Sequence, residues 1–122
     1  MPQNKRTLVI GATPNPSRFA YRATHMLKDY DVETVLFGIK KGEVAGIPIL
    51  NDWPESEDIH TITLYISAKW QGPYLQKMID LKPKRIIFNP GTENDSLVKM
   101  AEAHEIEALE ACTLVLLQTN QY

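Results

Sequence analysis

Short apolar runs alternate along this chain with stripes of helical period, and that alternation sets the fold class. Residues 6–10 form a brief, β-branched run that predicts a buried strand. From 17 to 30 the period becomes helical. Phe19, Ala23, Met26, Leu27 and Tyr30 share one face there, and Arg18, Arg22 and Lys28 lie elsewhere. Residues 33–38 predict a second strand, 38–42 a charged turn bounded by glycines, and 47–50 a short strand. A loop with a proline stop follows at 51–55, and 59–66 carry the strongest strand signal of the chain. Gly72-Pro73 predicts a helix start, because proline is tolerated in a first turn. Tyr74, Leu75, Met78 and Ile79 give that helix an apolar face. Residues 84–88 predict another buried strand. Asn89-Pro90-Gly91-Thr92 reads as a turn, and Asn94 or Asp95 caps a helix running to about His104. Residues 106–109 predict the last strand, and the apolar tail at 112–119 fits either a strand or a helix.

Strands and helices in this order predict an α/β fold, a three-layer, doubly wound, mainly parallel sheet with residues 7–10 at its centre. Strands without a polar face point to burial on both sides. Ligands of such sheets bind beyond the carboxyl ends of the strands, where the strand order reverses. That places the loops after Ile10, Phe37, Ile66 and Phe88 on one functional edge.

The chain has 122 residues, enough for one domain spanning 1–122. Its net charge of −2 argues against a general nucleic-acid partner, so any basic site must be local. A single cysteine, Cys112, permits no internal disulfide. No N-terminal stretch has the form of a signal peptide, and no apolar run approaches the roughly 20 residues of a membrane span. The expectation is a soluble cytoplasmic protein with a small-molecule nucleotide ligand, no nucleic acid and no membrane. A homodimer or an enzyme partner is compatible with it.

Candidate chemistry concentrates at the first strand–helix junction. A phosphate sits well where free backbone N–H groups open a helix. Gly11 lacks a Cβ and would let such a phosphate approach the backbone, although a turn glycine needs no ligand. The chain has no G-x-G-x-x-G: Ala12, Thr13, Pro14, Asn15 and Pro16 follow Gly11. Arg18 and Arg22 are four apart on the first helix, where arginine can clamp a diphosphate and where a solvated face is the plain alternative. The second strand ends in Lys40 and Lys41 with no acid before Glu43. An NAD site usually offers a carboxylate there. The two lysines favour a ribose phosphate instead, as in NADP or coenzyme A, or form an exposed polar turn. Ser67 could hydrogen-bond a ligand. Trp70 either covers one or packs on the neighbouring helix. His25, His60 and His104 are scattered, and His60 has only Glu57 and Asp58 beside it, so neither a metal cluster nor a general acid–base pair emerges.

The run from Val9 through Arg22 resembles the opening of the small stand-alone CoA-binding proteins, single Rossmann-type domains similar to the CoA-binding domain of the succinyl-CoA synthetase α subunit. In that family a Gly-Ala-Ser turn precedes Pro-x-Arg-x-Ser-Tyr-Arg. Here Thr13 and Ala20 replace the serines, while Arg18, Tyr21 and Arg22 match. Gly38-Ile39-Lys40 stands where the family has Asn-Pro-Lys, and Ser67-Ala68-Lys69 where it often has an arginine. Cys112 sits near the C-terminus, as a family cysteine does. The resemblance implies coenzyme A or an acyl-CoA as ligand. It places the diphosphate at Gly11, Ala12 and Thr13, with Arg18 nearby and Lys40 or Lys41 at the 3′-phosphate; Asn15, Tyr21, Arg22 and Ser67 complete the candidate cofactor-binding residues. It implies no reaction. The competing expectation is a small NADP-dependent or CoA-dependent enzyme subunit, completed by a partner or a second copy.

Overall fold

Strand β1 (Gln3–Ile10) lies at the centre of a seven-stranded sheet. The computed structural model describes residues 3–55 and 58–122; Glu57, named above beside His60, lies outside them. Helix α1 (Phe19–Asp29) leads to β2 (Val32–Phe37), followed by β3 (Glu43–Val44), β4 (Ile47–Leu50) and β5 (Thr61–Leu64). Helix α2 (Ala68–Gln71), a 3₁₀ turn (Gly72–Tyr74) and α3 (Leu75–Asp80) come next. Then follow β6 (Arg85–Phe88), α4 (Asp95–Ala103), β7 (Glu107–Glu110) and α5 (Thr113–Gln118). The sheet order is β3-β4-β2-β1-β5-β6-β7, and every pair is parallel except β3–β4. The doubly wound α/β fold expected from the sequence is therefore the fold observed.

Register builds the two cores. Val35, Leu8, Ile62, Ile86 and Ala108 stand in one row across the sheet. They pack with Met78 and Ile79 of α3 and Leu97 and Ala101 of α4. One residue on, Leu36, Val9, Thr63, Ile87 and Leu109 form the row on the other face. There Val9, Leu36 and Ile87 meet Leu27 of α1 and Leu117 of α5. Strand side chains alternate faces, so one strand feeds both cores. The polar member, Thr63, is fully buried and its hydroxyl is met by Thr113 Oγ1 at 2.8 Å and Asn89 Nδ2 at 2.7 Å.

Several boundaries differ from the expected ones for local reasons. Helix α1 starts at Phe19 rather than 17, because the Asn15 side chain holds Ser17 through its N–H and its hydroxyl. The second helical segment begins at Ala68, ahead of Pro73, which the tighter 3₁₀ turn accommodates. The pair β3–β4 is a two-residue hairpin on Ala45 (φ 53) and Gly46 (φ 80), too short to leave a periodic trace. Asn94 is the cap of α4, accepting from the N–H of Ser96 and Leu97. The ambiguous tail is helix α5.

At the end of β1 the chain turns out of the sheet through Gly11, at φ 96. The N–H groups of Gly11 and Ala12 both donate to the Phe37 carbonyl, at 2.9 and 3.0 Å. A Cβ on Gly11 would stand 2.8 Å from Ile66 Cγ2 and 3.0 Å from the Tyr65 carbonyl. The glycine is thus demanded by the neighbouring strand end as well as by its backbone conformation.

Two stability measurements follow. Gly11→Val combines a left-handed backbone with an overpacked contact and should cost about 2–5 kcal/mol in urea unfolding. An unchanged midpoint would show that the strand ends part freely. Asn89 is 2% exposed and holds Thr63, the Leu64 carbonyl and the Thr113 N–H through one carboxamide. Asn89→Leu should cost about 2–4 kcal/mol by stranding buried polar groups, against less than about 0.5 kcal/mol for the exposed Glu102→Gln.

Candidate functional site

Strand order runs from β1 outward to β2 and β4 on one side, and from β5 to β7 on the other, so the switch point falls between β1 and β5. A groove of about 1400 Å³ opens there, at the carboxyl ends of β1, β2, β5 and β6. Its first wall is the turn from Gly11 through Asn15 and the start of α1 at Arg18, Phe19 and Ala20. The loop at Gly38, Ile39 and Lys40 flanks it. The facing wall is built by Tyr65 to Ser67, Lys69, Trp70 and Tyr74, with Pro90, Gly91 and Thr92 beyond.

Of the candidate residues, Gly11, Ala12, Thr13, Asn15, Arg18, Lys40 and Ser67 line this groove. Tyr21, Arg22 and Lys41 do not. Tyr21 packs its ring on His25, with centroids 4.7 Å apart, and is part of the core beside α1. Arg22 lies over the exposed Phe19 ring at 5.5 Å, and Lys41 is exposed. The Gly11 and Ala12 amides are already engaged by Phe37, and the Arg18 and Tyr21 N–H groups by the Asn15 and Arg18 carbonyls. Helix α1 has no side-chain cap, which leaves the N–H groups of Phe19 and Ala20 and the positive end of its dipole to whatever occupies the groove.

The charged residues lining the groove are Arg18, Lys40 and Lys69, all cations in a chain of net charge −2. No carboxylate, histidine or cysteine lies among its lining residues. His25 is committed to Tyr21, and His104 Nδ1 lies 2.9 Å from the Met100 carbonyl. His60 sits before β5 at the far end of the sheet, beside Thr61 Oγ1. Burial pushes its pKa down, and Arg85, Lys5 and Lys84 push it further the same way. Cys112 precedes α5, half-buried. Tyr65 carries a buried hydroxyl, and burial raises its pKa far enough that the phenol stays protonated.

Sequence reasoning weighed Trp70 as a ligand cover and passed over the rest of the apolar rim. Phe19, Ile39 and Trp70 are 64, 85 and 62% exposed, and all three line the groove. The signal for Ile39 lay in its position, two residues past the end of β2. Gly38 was read only as the edge of a turn. A Cβ there would meet the Ala12 carbonyl at 2.5 Å, so it brings the two loops together. No helix among the described residues is long and apolar enough to cross a membrane.

Residues 5–118 match the family model of the CoA binding domain. No curated protein matches the chain. A crystal structure of an uncharacterized protein is similar at 44% identity and a TM-score of 0.94, covering 97% of this chain and 98% of that one. A structure from Thermus thermophilus, cell-free ID.343, has 17% identity and a TM-score of 0.82, with 97% and 90% covered. A hypothetical protein from Pyrococcus horikoshii OT3 has 20% identity and a TM-score of 0.86, with 94% and 82% covered. These two distant likenesses show the fold alone. With the match running over 5–118 of 122 residues, the chain belongs to the CoA-binding domain family.

Proposed function

We propose that the protein binds coenzyme A or an acyl-CoA in this groove and catalyses no reaction of its own. The observation that carries the reading is that Arg18, Lys40 and the uncapped start of α1 all line the groove at the switch point. The diphosphate lies against the first turn of α1, where Arg18 adds a bidentate partner. Lys40 faces the ribose 3′-phosphate. The uncharged pantetheine arm crosses to Trp70 and the loop at 90–92. The absence of catalysis is supported by the groove's lining: its cations bind and orient an anion, and it offers no carboxylate, imidazole or thiol to move a proton or attack a thioester.

Lys40 also supports a second reading. A cation rather than an acid at the end of β2 suits the 2′-phosphate of NADP, and a partner or second copy would then complete an enzyme. Thermal shift with CoA, acetyl-CoA, NADP and NAD side by side separates the two. Stabilisation by CoA and not by NADP supports the first reading, and the reverse pattern replaces it.

Two outcomes test the site. CoA should bind about two- to fivefold more tightly than dephospho-CoA, the effect of one exposed charge contact. Lys40→Ala should remove that margin in calorimetry and Lys41→Ala should leave it. Equal affinities in the unsubstituted protein would take Lys40 out of the site. Incubation with acetyl-CoA should release no thiol above the buffer rate in a colorimetric assay, and steady release would establish a hydrolase or transferase.

A further inference from the structure

We infer that Gln71 is a positioning residue for the groove: its one buried carboxamide locks together the two loops of the wall facing α1, and so sets the affinity for the pantetheine arm. The inference rests on the CoA reading above. The β5–β6 ladder ends at Leu64 and Phe88, so the loops beyond it have no further sheet pairing to fix their separation. Gln71 ends α2 and is fully buried, a place that a long polar side chain occupies only when its hydrogen bonds are met. Its Nε2 donates to the Ile66 carbonyl at 2.9 Å and to the Thr92 carbonyl at 2.8 Å, and its Oε1 accepts from Asn94 Nδ2 at 2.9 Å. Ile66 belongs to the loop after β5. Thr92 and Asn94 belong to the loop after β6, and Asn94 also caps α4. One side chain therefore ties two loops and a helix start at fixed spacing.

The surface so fixed suits an uncharged ligand segment. Trp70 stands exposed on α2, next to Gln71, and Gly91 on the second loop has open space where a Cβ would be. Lys69, the cation on this wall, lies over the Trp70 ring at 4.9 Å. Arg18 and Lys40 lie on the opposite wall, where the phosphates bind. A wall that opened by even part of an ångström would lose contact with the arm and leave the phosphates in place.

The test is calorimetry of the full chain with two probes, CoA and adenosine 3′-phosphate 5′-diphosphate, which keeps the phosphates and lacks the arm. Gln71→Glu keeps the shape, but a carboxylate cannot donate to two carbonyls. Asn94→Asp keeps a good helix cap and loses the donor to Gln71. Each variant should weaken CoA about fivefold, the effect of one net hydrogen bond, and leave the pantetheine-free nucleotide unchanged. The Gln71→Glu loss should shrink on acidification, as the protonated carboxyl regains a donor. No loss, or an equal loss for both probes, overturns the positioning role while the CoA reading stands. Failure of the unsubstituted protein to bind CoA overturns the reading and the role together. Should Gln71→Glu not fold, Asn94→Asp decides the question.

Discussion

Everything at the working end of this molecule depends on how the carboxyl end of β1 is closed between its neighbours. The Phe37 carbonyl takes two N–H groups from the turn, and Tyr65 donates across to the Ile10 carbonyl at 2.8 Å. Those three bonds bring β2, β1 and β5 to an even edge. Gly11 lets the chain leave that edge without colliding with Tyr65 and Ile66. Helix α1 then begins over the edge rather than beside it, and Gly38 brings the second loop against Ala12. The groove is the space left when these three strand ends diverge into loops.

Charge is distributed to match. The chain carries 15 acidic and 13 basic residues, yet the groove presents only cations. The exposed rim of Phe19, Ile39 and Trp70 adds apolar area at the mouth.

The architecture was legible because the core strands are short and largely apolar and the longer helices carry apolar stripes, so periodicity and burial agree. The central place of β1 followed from the alternation. Strand β4 was expected at 47–50, but its hairpin partner β3 was not legible, because two residues carry no period and the turn rests on Ala45 at a positive φ. The lining of the groove was legible where proximity in sequence equals proximity in space, from Gly11 to Arg18. It was less so where a helix rotates residues away: Tyr21 and Arg22 are close to the turn in number but lie off the groove, beside His25 and Phe19. Gly11 was singled out on a phosphate argument, and the structure supplies a steric one. Nothing in the sequence shows that Gln71 reaches two loops, since its partners Ile66, Thr92 and Asn94 meet only in the folded chain.

The place of β1 also orders the making of the protein. Its pairing with β2 needs only the one intervening helix, whereas its other edge waits for Thr61–Leu64 to leave the ribosome. Until then the central strand of the molecule is an open edge, with Leu8, Val9 and Ile10 unprotected on one side. Parallel partners this far apart in sequence also slow the closing step. The strand that makes the finished fold rigid is thus the segment most exposed to misassociation during synthesis.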